Sequence, residues 1–163
     1  MYITYREYTE SFEMIDEMSF KNLSIEACRV MDIHTTGVDN VKKLRRFFPT
    51  DSYNAAAVKA CAGQLISLLN QIRMAEASAA AGIGYDATEQ GLRGRVIASV
   101  SAGNESITYA TNGTGTAVDM AVRDRSARNE LLARTVTENL RGVEDSNGVN
   151  LLYKGRYPGR YLC

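Results

Sequence analysis

Residues 52–81, SYNAAAVKACAGQLISLLNQIRMAEASAAA, decide the fold. The stretch contains no proline and a single interior glycine. Val58, Cys61, Ala62, Leu65, Leu68, Leu69 and Ile72 recur at helical spacing and form one broad apolar stripe. Ala56, Ala60, Gly63, Ser67, Asn70 and Ala77 share the opposite side, and nearly all are small. A line of small residues lets a second backbone come close, a use that offsets a helix cost of ~1 kcal/mol for Gly63. Only Lys59, Arg73 and Glu76 are charged, so little of this rod suits open water. At 1.5 Å per residue it reaches about 40 Å, roughly the diameter expected of a compact chain of this size. Two readings fit a helix covered on both sides. It is an ordinary core helix with an alanine-rich back, or a neighbouring subunit packs on Ala56, Ala60, Gly63, Ser67 and Asn70.

The 163 residues predict one domain able to bury a real core. With 19 basic and 19 acidic side chains, no global field favours nucleic acid or a membrane surface. No apolar run approaches the ~20 residues that span a bilayer. The opening MYITYREYTE lacks the basic and apolar regions of a signal peptide, which predicts a cytosolic product. Three widely spaced cysteines predict neither a disulfide framework nor a metal site.

Outward from the central helix, Thr4 and Glu7 form a capping box that opens a short helix through about Phe12. A second helix is predicted from about Asp16 to His34, with Phe20, Leu23, Ala27, Val30, Met31 and His34 inward and Asp32 outside that face. His34, the only histidine, reads as a cap or a packed ring. One or two helical turns follow before Pro49, carrying the basic cluster Lys42, Lys43, Arg45 and Arg46. That cluster is a solvated face, or it meets phosphates or an acidic partner. After Ala81 the glycine-rich Gly82–Gly94 stretch reads as a loop. A β-hairpin is predicted over Arg95–Ala110, with Val96, Ile97, Val100, Ile107 and Tyr109 on its strands and Gly103 and Asn104 at its turn. Thr116 and Asp119 open a last helical region to about Leu140, broken between Arg123 and Arg128 and ended by Gly142.

From Asn150 the chain is apolar, aromatic and basic at once. Leu151, Leu152, Tyr153, Lys154, Arg156, Tyr157, Pro158, Arg160 and Tyr161 contain no acid. A disordered terminus fits this composition, and a binding arm fits it better, because tyrosine and arginine anchor interfaces. The fold class is therefore mainly α: a helical bundle around one long central helix, with an inserted hairpin. Residues 1–149 are expected as the helical domain and 150–163 as an extended arm. No nucleophile stands beside a base and no phosphate loop occurs, so neither an enzyme nor a cofactor is expected.

The segments YITYREY, DIHTTGVDNVKKLRRFFP, SVSAGNESITYAT and GVEDSNGVNLLYKGRYP, in this order, resemble the head–tail connector (adaptor or head-completion) proteins of long-tailed phages and prophages. The resemblance covers most of the chain, and its specificity lies in the order of the segments. It implies a homo-oligomeric, dodecameric ring under the portal protein, at the virion neck after assembly in the host cytoplasm. Such a ring extends the DNA channel without reading sequence and presents loops to the next neck component, a stopper or tail terminator. It also implies that Asn150–Tyr161 grips the portal and that the hairpin meets neighbours. No membrane is involved. A helical DNA-binding regulator using Lys42–Arg46 is the rival reading.

Overall fold

The computed structural model describes residues 1–80 and 116–159, together with four short strands between them. The protein is mainly helical. Two compact units divide it: Met1–Leu69 with Leu132–Cys163, and Asn70–Leu131.

In the first unit, α1 (Tyr5–Ser11) starts at Thr4, whose hydroxyl accepts from the Glu7 amide while the Glu7 carboxylate accepts from the Thr4 amide. Helix α2 (Glu17–Thr35) is capped by the Asp16 carboxylate on the Ser19 amide at 2.9 Å. The single turn α3 (Lys43–Arg46) follows. Helix α4 (Ser52–Ala80) begins in this unit and ends in the second. The apolar stripe of α4 is buried as its spacing requires. Val58, Cys61, Ala62, Leu65 and Leu69 join Leu23, Ala27 and Met31 of α2 and Tyr8 of α1 in one core. Ile66 widens the stripe. Burial without a charged neighbour pushes the Cys61 thiol up to about 12, so this cysteine is a packing group.

The glycine in α4 has a different use from the expected one. A Cβ at Gly63 would overlap the edge of the Phe12 ring, which follows α1. Close approach therefore occurs within the chain, and Gly63 is withdrawn from the predicted subunit interface. Glu7 reaches Lys59 at 2.5 Å and fixes the same two helices against each other.

In the second unit, α5 (Ala117–Arg123) opens with a capping box of Thr116 and Asp119, and α6 (Arg125–Asn139) follows after one residue. That residue, Asp124, caps both helices. Its amide donates to Met120, and its carboxylate accepts from the Ser126 amide. Arg128 bonds Glu76 at 2.9 Å. Between α4 and α5, β1 (Gly84–Asp86) pairs antiparallel with β2 (Gly91–Arg93), so the stretch expected as a plain loop contains paired backbone. Likewise β3 (Ile97–Ser101) pairs antiparallel with β4 (Ser106–Tyr109), with Val100 opposite Ile107 and an irregularity between Ile97 and Ser99. Val96, Gly103 and Asn104 lie outside the described residues.

After α6 returns to the first unit, Asn139 donates to Gln64 of α4 at 2.8 Å. Gly142 then takes φ +77°, a left-handed value that ends the helix without a Cβ clash.

Candidate functional site

The segments at 2–8, 32–49 and 142–158 converge in the first unit. Each is rich in groups whose bonding the sequence alone does not reveal, and the structure joins them through five side chains. Asp145 is the first. Its carboxylate accepts from the Asn147 and Val149 amides at 2.9 and 3.0 Å, folding residues 145–149 into a tight turn completed by Gly148 at φ +72°. Its second oxygen accepts from the Tyr157 hydroxyl at 2.6 Å. The Tyr157 ring stacks on Phe47, centroids 4.8 Å apart and 8° from parallel.

Asp39 holds the same tyrosine from the other side, accepting from its amide at 2.5 Å. That hydrogen bond, more than any nearby charge, lowers the Asp39 pKa. Lys43 is the third. Its ammonium donates to the carbonyls of Asn150 and Tyr153 at 3.1 and 2.6 Å and lies over the Tyr153 ring. Only 1 % of Lys43 is exposed. Burial, aided by the charge of Lys154, pulls its pKa from 10.5 to about 8. Lys154 is the fourth. It donates to the carbonyls of His34, Ile33 and Thr36, supplying positive charge where α2 ends. Burial lowers the pKa of His34 and the Lys154 charge adds to the effect, in keeping with a packed neutral ring.

Asp32 is the fifth, and the helical pattern misplaces it. Predicted outside the core face of α2, it is 6 % exposed. It accepts from Arg45 at 2.5 Å and from the Tyr2 hydroxyl. Desolvation, then the Asp32 carboxylate, raises the Tyr2 pKa, so the phenol stays protonated.

This geometry revises the sequence reading of the tail. Residues 150–159 do not form a separate extended arm: they are bound to their own helical body. Leu151 is wholly buried in the core and its amide donates to Val143, while Leu152 packs against that core. Asn150 bridges to Glu144. Tyr157 is buried and Pro158 half-buried; Tyr153, Lys154 and Arg156 keep an exposed side. Arg160 and Tyr161 lie outside the described residues. The physical reason is that one short segment carries two apolar anchors, meets Lys43, which satisfies two of its carbonyls, and supplies Lys154, which satisfies carbonyls at the end of α2.

The basic cluster is likewise divided. Lys43 is interior, Arg45 is tied to Asp32, Arg46 lies over the Phe47 ring, and Lys42 is exposed. Of the proposed interface positions on α4, Ala56 and Ala60 are exposed and Ser67 and Asn70 half-buried. Two recesses flank Arg45. One of about 480 Å³ is lined by Met1, Tyr2, Cys28, Leu44 and Phe48. The other, about 570 Å³, opens between Arg29, Ile33, Thr36, Asn40 and Lys42, with Asp32 in its wall.

Among the described residues no cluster of three or more histidine, cysteine or acidic side chains could hold a metal ion. No described helix is long and apolar enough to cross a membrane. Comparison with protein-family models, characterised proteins and solved structures finds no match to this chain.

Proposed function

We propose that this chain is a structural head–tail connector, a non-enzymatic ring subunit that sits beneath a phage portal and passes DNA towards the tail. One observation carries the reading. Three of the four segments on which the resemblance rests meet in a single knot, through Tyr2–Asp32–Arg45, Asp39–Tyr157 and Lys43–Asn150. Residues spread over the chain are thus tied into one packed body, which supports the reading of a structural subunit. The fourth segment, residues 99–111, carries β4 and the end of β3. Two antiparallel strands are marginal by themselves and leave unpaired edges, which suits contact with a neighbouring subunit or the next neck component. Exposed Ala56, Ala60 and Tyr53 at the start of α4 offer a surface for lateral packing.

The regulator reading has less support, because Lys43 is interior with its ammonium on two carbonyls and Arg45 is held by Asp32, so the four cations do not form one open basic face. The test is to mix the purified chain with portal-bearing, DNA-filled heads and sediment them. Under the connector reading the chain pellets with heads, a ring appears at one vertex by electron microscopy, and heads lacking it do not join tails. A chain that ignores heads and binds one DNA sequence at moderate salt is a regulator instead.

A further inference from the structure

The outer side of α2 carries a surface that the knot does not use. Met18, Ile25 and Ile33 are 69, 63 and 58 % exposed. At 100° per residue they fall within about 80° of one another, with Arg29 between them. The stripe runs into the recess of about 570 Å³, where Ile33 and Arg29 are joined by Lys42 and Arg45.

The charges there do not cancel. Asp32, the acid in the wall, is committed to Arg45 and Tyr2. Among the described residues Arg29 and Lys42 have no ion-pair partner. An exposed apolar line that ends in two uncompensated cations has a definite complement. We propose that the outer face of α2 and this recess bind a segment of a partner protein in which apolar side chains at helical spacing lead into a pair of carboxylates. The apolar side chains lie on Met18, Ile25 and Ile33, and the carboxylates enter between Arg29 and Lys42. Duplex DNA fits less well. Its non-specific binding draws on roughly 6–10 phosphate contacts, more than two free cations provide, and it gains nothing from the isoleucines.

The inference stands on α2 and the recess alone, whatever the larger assembly is. A synthetic helical peptide with spaced leucines followed by two glutamates is titrated against the full chain, beside a twin carrying lysines in place of the glutamates. The glutamate peptide is expected to bind, with Arg29, Ile33 and Lys42 among the residues whose NMR signals shift. Arg29→Glu with Lys42→Glu should weaken it at least about tenfold and make the lysine twin the better ligand. The neutral pair Arg29→Gln, Lys42→Gln serves if the reversal unfolds the chain. Ile25→Ser should weaken both peptides alike. Equal binding of the two peptides by the unmodified chain, or none, overturns the proposal. So does self-association of the chain, or salt-sensitive duplex binding, that the Arg29→Glu, Lys42→Glu change abolishes.

Discussion

Lys43 shows how much one side chain decides here. A buried ammonium is held by two carbonyls of a segment more than a hundred positions away, and desolvation pulls its pKa to about 8. The unfolded chain keeps the ordinary value near 10.5. Between these values the unfolded state binds more protons than the folded one, so stability rises with pH across that window and is flat with respect to Lys43 below it. At ~1.4 kcal/mol per pKa unit the gain has an upper bound of roughly 3 kcal/mol. Urea unfolding near both ends of the window, compared with Lys43→Met, should show the rise in the parent and its loss in the variant. An identical profile for the two would place Lys43 in water. Gly63 makes a second prediction at this scale. Because a Cβ there overlaps the edge of the Phe12 ring, Gly63→Ala should destabilise the free chain by about 1–3 kcal/mol. Phe12→Leu should recover part of that loss, a non-additivity that identifies the contact. Two independent, additive losses would mean that Gly63 meets something else.

At the level of elements, helices were legible wherever a cap and a period coincided. Thr4 with Glu7, Asp16, and Thr116 with Asp119 each start a helix where the sequence places one. The last helical region breaks at Asp124, inside the predicted interval, because that residue's backbone and carboxylate serve both halves. What the pattern could not supply was the destination of polar groups. Asp32 has the spacing of a surface residue, and only the positions of Tyr2 and Arg45, set by tertiary packing, make its burial tolerable. The burial of the tail is invisible in the sequence for the same reason. Its leucines and tyrosines do need burial, but nothing local indicates that α2, α3 and Asp145 provide it. The Asp145-Ser-Asn-Gly turn was the one available signal, since such a turn sends the chain back on itself. Removing everything after Gly148 should therefore cost several kcal/mol of stability, as Leu151 and Tyr157 each contribute roughly 1.5–3 kcal/mol on burial. Thermal unfolding of the truncated chain measures it, and an unchanged midpoint would show the segment to be an ornament. The β3–β4 pair predicts the opposite. Replacing residues 95–110 by a Gly-Ser link should leave the unfolding of the first unit close to that of the parent.

For the whole molecule the question is how a connector would grip a portal when its tail is already engaged. The resemblance implies docking through Asn150–Tyr161, and the structure has Leu151 and Tyr157 buried in the chain's own body. Two routes are open to a ring subunit. In one, the segment peels away and exchanges its internal partners for portal ones. That route exposes Leu151, breaks the bonds of Tyr157 to Asp39 and Asp145, and takes from Lys43 the carbonyls of Asn150 and Tyr153. The exposure of Leu151 and the loss of the bonds of Tyr157 to the two carboxylates are unfavourable. In the other, the segment stays folded and presents its outward side, where Tyr153 is 49 % exposed and Arg156 also faces solvent. The second route keeps every internal bond and needs no ordering at the moment of binding, so it is the one expected. Hydrogen exchange separates them. The amides of Leu151 and Tyr157, bonded to Val143 and Asp39, should be protected in the free chain and stay protected in heads carrying the ring. Tyr153→Ala with Arg156→Ala should reduce binding to heads with only the small loss of thermal stability that the Lys43–Tyr153 ring contact accounts for, while Tyr157→Ala should lower stability first. Deprotection of Leu151 on docking, with no effect from Tyr153 and Arg156, would mean that the segment is released and that its folded state in the free chain holds it in reserve.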